Sequence, residues 1–94
     1  MTITVKFIGS FRSISGKSKV ALKHEDPAPL QVVINRIVKE LPKLKQTLID
    51  PELQEPKTST LILVNGKEIS VLNGFETMIK DKDEVVFIPV VHGG

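Results

Sequence analysis

The chain has 94 residues, 40% of them hydrophobic and 26% charged, with a formal net charge of +2, the profile of one small folded domain. It contains no cysteine, which excludes disulfides, thiol nucleophiles and cysteine metal sites. It has no run of about 18 apolar residues, so no membrane span is expected, and so small an excess of base does not argue for nucleic acid.

The N-terminus alternates from the first residues: Ile3, Val5 and Phe7 interleave with Thr2, Thr4 and Lys6, the period-2 pattern of a half-buried strand. Such a start lacks the basic and apolar regions of a signal peptide, and the cytoplasm is the expected compartment. The Gly- and Ser-rich stretch 9–18 reads as a long hairpin connection, leading to a second strand in which Val20 and Leu22 alternate with Lys19, Ala21 and Lys23. Asp26-Pro27-Ala28-Pro29 interrupts the sheet pattern and prepares a helix start. Leu30, Val33, Ile34, Ile37, Val38 and Leu41 then form one apolar stripe, which predicts a helix of about three turns. Pro42 ends or kinks it. Leu44, Leu48 and Ile49 suggest a further short helical turn, and 50–59, with two prolines and mixed charge, reads as an exposed loop.

Thr60-Leu61-Ile62-Leu63-Val64 is a continuous β-prone run, followed by Asn65-Gly66, a strong signal for a tight hairpin, and a short return strand, Lys67-Glu68-Ile69. Asn73-Gly74 marks another turn, Phe75, Met78 and Ile79 supply apolar contacts, and Asp81-Lys82-Asp83-Glu84 is a charged turn. Val85 to Val91 is almost unbroken apolar sequence, as expected of a strand covered on both faces or holding one face for a partner. The order β-β-α-β-β-β, with a single amphipathic helix, predicts an α+β, β-grasp (ubiquitin-like) domain over 1–94. Its mixed sheet has four to five strands, and one main helix packs on one face. The last strand is expected in the middle, parallel to the first.

The chain closes on Gly93-Gly94. Glycine is roughly 7% of average protein, so a chance pair has a probability of about 0.5%. A diglycine is thin and conformationally free, which suits a carboxylate that must enter another protein's active site, and a flexible tail is expected over about 90–94. Alternation places Ile8, Val86 and Ile88, with one alternate set from Leu61 to Val64, on the sheet face opposite the helix. A contiguous apolar patch there marks a protein partner, unless the segment 43–59 folds over it. Other constellations are weak. His24 and His92 have no metal-ligand spacing, and His24 is expected at a strand end in solvent. Asp81, Asp83 and Glu84 fall short of a calcium loop. Gly9 and Gly16 do not make a phosphate-binding loop, and no nucleophile–base pair is visible. Lys17, Lys19, Lys23, Lys43 and Lys45 could meet an acidic surface, whereas base stacking is not expected without tyrosine or tryptophan. The expectation is a non-enzyme that binds no metal and no cofactor and contacts neither membrane nor nucleic acid.

Phe7-x-x-x-Phe11-Arg12-x-x-x-Gly16, Leu63-Val64-Asn65-Gly66, Asp81-x-Asp83-Glu84-Val85-Val86-Phe87-Ile88-Pro89 and Gly93-Gly94 together resemble the MoaD/ThiS-type ubiquitin-like sulfur carriers. These comprise the small subunit of molybdopterin synthase, the thiamine sulfur carrier and archaeal ubiquitin-like modifiers. The sequence departs from that pattern at Lys82, where glycine is usual and where the exchange is expected to be harmless. It departs again at Val90-Val91-His92 and in a longer 43–59 segment. The resemblance implies that an adenylating enzyme of the ubiquitin-activating type uses ATP to activate the Gly94 carboxylate. A sulfur donor then leaves a thiocarboxylate for molybdopterin synthesis or a related pathway. Gly93 would give reach, and Ile8, Val86, Ile88, Arg12 and His92 would contact partners, among them the synthase large subunit. Attack by a lysine amine of a target protein would instead make the chain a ubiquitin-like modifier, and a β-grasp binding module with incidental glycines is the third possibility.

Overall fold

The computed structural model describes residues 1–90. β1 (Thr2–Phe7), β2 (Lys19–Lys23), β6 (Thr60–Val64), β7 (Lys67–Glu68) and β9 (Glu84–Pro89) build one sheet in the order β2-β1-β9-β6-β7. The remaining strands are two-residue ladders: β3 (Ala28–Pro29) with β8 (Met78–Ile79), and β4 (Ile49–Asp50) with β5 (Glu55–Pro56). As expected, β1 and β2 are antiparallel and β1 and β9 parallel, with β9 central. The register Val5↔Val85 and Phe7↔Phe87 brings the two buried sets onto the same face. The Phe7 and Phe87 rings stack there, 6.0 Å between centroids and 17° between planes, a geometry worth about 0.5–1.5 kcal/mol beyond area burial. Ile62↔Phe87 and Val64↔Val85 extend the same layer into β6.

The helix α2 (Leu30–Glu40) covers that layer with Leu30, Val33, Ile34 and Ile37, all buried, each contributing about 1.5–3 kcal/mol relative to exposure. Pro42 does not merely end α2. Leu41 leaves helical geometry, and Pro42 opens α3 (Lys43–Leu48), whose Leu44 and Leu48 enter the same core. The stretch 9–18 is not a plain hairpin connection. It contains α1 (Ser10–Ser15), which buries Phe11, packs Ile14 on the core and closes on Gly16 in the left-handed region at φ 74. Two apolar residues at i, i+3 are too short a signal to outweigh six Gly and Ser neighbours in a pattern search. The exposed loop expected over 50–59 also needs amending, because β5 lies within it and Pro56 is buried. The return strand β7 stops at Glu68, Ile69 opens a 3-10 turn (Ile69–Val71), and β9 ends at Pro89.

The tight turns are pinned by side chains. Asn65 (φ 51) and Gly66 (φ 83) both sit at positive φ, as a type I′ hairpin requires. The Asn65 amide donates to Asp83 Oδ1 at 3.0 Å and accepts from the Glu84 N–H at 2.9 Å. Asp81 Oδ1 accepts from the Thr2 N–H and Asp83 Oδ2 from the Lys80 N–H, each at 2.7 Å. The acids of this turn thus hold backbone N–H groups. Between them Lys82 is forced to φ 70, so the exchange of glycine for lysine there carries a cost of about 1 kcal/mol. Lys82→Gly is therefore expected to stabilise the fold by roughly 0.5–1 kcal/mol, read as a rise in the midpoint of urea denaturation. An unchanged or lower midpoint would show that the turn bears no strain.

Candidate functional site

The site is built where β9 runs out. Alternation directs Val85 and Phe87 into the core and Val86 and Ile88 to the other sheet face. The register sets Ile88 opposite Leu61 and Val86 opposite Leu63. Ile8 follows β1, and its N–H donates to the Phe87 carbonyl at 3.0 Å, which brings Ile8 alongside β9. The structure therefore gathers Ile8, Val86, Ile88, Leu61 and Leu63 on one face, and the alternate set from β6 is Leu61 and Leu63.

These residues differ in exposure. Ile8 is 45% exposed, Leu61, Leu63 and Ile88 are half-buried, and Val86 is only 9% exposed. Val86 is thus a correction to the open patch. It points outward but is walled in by its cross-strand neighbours Lys6 and Leu63, and it stays outside the main core cluster. Lys6 and Glu84 bridge the same face at 2.9 Å, each about 40% exposed, a pair worth about 0–1 kcal/mol. The segment 43–59 does not close over this face. Leu44, Leu48 and Ile49 join the core beneath α2, on the opposite side of the sheet.

The end of β9 is fixed on both sides. The Val90 N–H donates to the Ser59 carbonyl at 2.7 Å. On the other side Gly9 lies against Pro89, so close that a Cβ on Gly9 would stand 3.1 Å from Pro89 Cγ. Gly9 also adopts φ 59 and ψ −130, and its carbonyl accepts the Arg12 N–H at 3.0 Å, starting α1. Arg12 is exposed on α1, off the sheet face, and Val90 is 40% exposed. Nothing in the sequence singles out Gly9, Ser59 or Pro89 as guides of the end of β9. The signal lies in the pairing of a glycine after β1 with a proline after β9, which is visible only once those strands are known to be neighbours. The expectations for His92, Gly93 and Gly94, and for a flexible tail, fall on residues outside those described.

His24 is not simply solvated. It is half-buried at the end of β2, its Nδ1 lies 3.1 Å from Arg36 Nη1 of α2, and its carbonyl accepts from the N-terminal ammonium at 2.6 Å. Because a guanidinium only donates, Nδ1 is the acceptor in this pair. Several grooves lie away from β9. One, of about 500 Å³, runs between α2 and the β4–β5 ladder, lined by Gln31, Asn35, Lys45 and Glu55. No helix of the described residues is long and apolar enough to cross a membrane.

The family model for Urm1, ubiquitin related modifier, matches residues 2–94. The chain belongs to that family. It is 29% identical to small archaeal modifier protein 3 of Haloferax volcanii, over the whole of both chains. Among solved structures it is similar to small archaeal modifier protein 1 of Methanosarcina acetivorans, at 31% identity and a TM-score of 0.83, covering 99% of this chain and 96% of that one. It also resembles a chain of the BexX/CysO complex of Amycolatopsis orientalis, at 24% identity and a TM-score of 0.78, covering 98% and 99%. The fold is β-grasp, and the family is one of ubiquitin-like modifiers and sulfur carriers. Within that fold Gly9 abuts the end of β9 at Pro89. Gly9→Ala is expected to cost about 1–3 kcal/mol in chemical denaturation, from positive φ and the Pro89 contact together. An unaltered midpoint would mean that the contact is not tight.

Proposed function

We propose that the chain carries an activated C-terminus, with Gly94 as its reactive residue and the β-grasp body as its handle. In this reading a ubiquitin-activating-enzyme-like partner binds ATP, and the Gly94 carboxylate attacks the α-phosphorus, releasing pyrophosphate and forming an acyl-adenylate. The physical need is a leaving group: a carboxylate oxygen leaves poorly, AMP well. A sulfur donor then displaces AMP and leaves a thiocarboxylate, which hands sulfur to the molybdopterin precursor or a related acceptor. The chain itself is a substrate of this chemistry rather than its catalyst, and ATP and the cations belong to the partner.

The observation that carries the reading is the placement of the end of β9. Val90 leaves the central strand at the rim of the face bearing Ile8, Leu61 and Ile88, anchored by Ser59 and Gly9. A body docked through that face would present residues 91–94 to the partner with little further loss of freedom, and Arg12 and His92 are further candidate contacts. A chain of the same fold was solved within the BexX/CysO complex, which supports docking to a partner protein. The large subunit of a molybdopterin synthase is a second candidate partner, and the cytoplasm is the compartment this reading implies.

The modifier reading has its own support, since the matched family and the Haloferax relative are both called modifiers. There a lysine amine displaces AMP and an isopeptide bond results. Intact mass of the full chain, incubated with ATP, sulfide and an adenylating enzyme of this type, tests both. Exchange of one oxygen for sulfur, lost on deletion of Gly94, supports the carrier. In a lysate supplied with the chain and ATP and then digested with trypsin, the remnant 83–94, which follows the last basic residue Lys82, on lysines of other proteins supports the modifier. Ile8→Asp is expected to slow adenylation at least about tenfold, as for loss of a modest interface contact, with the melting temperature unchanged. Activation at the normal rate in this variant would remove the docking face from the proposal, and no activation of the intact chain would remove the reactive terminus.

A further inference from the structure

One outer edge of the sheet is β2, separated from β9 by β1. The hydrogen bonds at either end of β2 fix which of its backbone groups are free. The Phe7 N–H donates to the Ser18 carbonyl, and the His24 N–H to the Met1 carbonyl. In an antiparallel ladder bonded pairs recur every second residue. With the register Ile3↔Leu22 and Val5↔Val20, Ser18, Val20, Leu22 and His24 therefore bond to β1. The N–H and C=O groups of Lys19, Ala21 and Lys23 point away from the sheet. Among the described residues no strand pairs with β2 on that side.

Such an edge is a ready template for another extended segment, and its charge says which kind. Residues 1–24 contain Lys6, Arg12, Lys17, Lys19 and Lys23 and no acid, whereas the whole chain holds 13 basic and 11 acidic residues. Lys17, Lys19 and Lys23 are all exposed, and Lys19, Ala21 and Lys23 share the sheet face opposite the helices. None of the three lysines is in an ion pair among the described residues, and Glu84, on the same face, is bound to Lys6 at 2.9 Å. Glu25 and Asp26 lie past the end of the strand, and Glu40 is bound to Arg36 at 3.3 Å. A second copy pairing edge to edge would set lysines against lysines, which repel. An acidic segment meets the opposite situation. On the other face Val20 is half-buried against the core, so the incoming residue beside it should be apolar.

We propose that β2 accepts, as a sixth strand, an extended segment of a partner protein in which acidic and apolar residues alternate. The acids lie beside Lys19 and Lys23, the apolar residues lie beside Val20, and the main chain bonds Lys19, Ala21 and Lys23.

Amide NMR of the full chain, titrated with a short synthetic peptide alternating glutamate and valine, tests this. The expected result is shifts and gained hydrogen-exchange protection at Lys19, Ala21 and Lys23. Ala21→Pro removes an outward N–H at an edge position where proline is tolerated, and should weaken binding about tenfold. Lys19→Glu combined with Lys23→Glu should switch preference to a lysine–valine peptide. Absence of shifts would mean that the lysines only guard a bare edge, and overturns the proposal. Binding unaffected by Ala21→Pro, or binding of oligouridylate in place of the peptide, would reveal a surface of charge alone and overturns it equally.

Discussion

The parallel pairing of β1 with β9 is the constraint on which the rest of the structure depends. It joins the first and last strands of the described chain at the centre of the sheet. Parallel neighbours cannot be linked by a tight turn, so the intervening sequence must include a crossover that leaves the sheet and returns. That excursion supplies α2 and α3, which cover one face, and β6, which fills the other side of β9. The Phe7–Phe87 stack sits at the junction. Because β9 is flanked on both sides, its end is held by Ser59 on one flank and Gly9 on the other, and its direction is set by the sheet.

The two faces are used unequally. The helix-facing layer is dry and closed, with Ile3, Val5, Phe7, Val85 and Phe87 all at or near zero exposure. The opposite face mixes Thr4, Lys6 and Glu84 with the half-buried Leu61, Leu63 and Ile88. It is apolar enough to dock a partner and polar enough to stay open to water. The sheet edges differ as well: β2 carries lysines with free backbone groups, while β7 is only two residues long. A very short strand and a charged strand are two established ways of discouraging sheet edges from associating with their own kind.

Much of this was legible in the sequence because it rests on periodicity. The α2 stripe from Leu30 to Leu41, the alternation in β1 and β2 and the Asn65-Gly66 hairpin each encode their own geometry. So does the central placement of the last strand, through its lack of polar residues. What the sequence did not disclose depends on pairs distant in sequence. Phe11 reads as one aromatic residue among glycines and serines until Leu44 and Leu48 are seen entering the same core. Ala28–Pro29 has no strand signal apart from Met78–Ile79. Lys82 looked like a neutral exchange, because a sequence carries no φ. Val86 looked open because alternation gives direction but not enclosure. The patch on the open face was readable as a set of residues. Its connection to the guides Gly9, Ser59 and Pro89 was not.

The Asn65 side chain, which ties the hairpin to Asp83 and Glu84, also fixes where β9 begins. From that clamp the six residues Glu84–Pro89 run to the opposite rim as a spacer of about 3.3 Å per residue. A substitution within the spacer alters a side chain and leaves its length alone. An inserted or deleted residue changes the reach by one step and rotates everything beyond it onto the other face of the sheet. The span of β9 is therefore a count of residues, and this strand should tolerate changes of composition far better than changes of length.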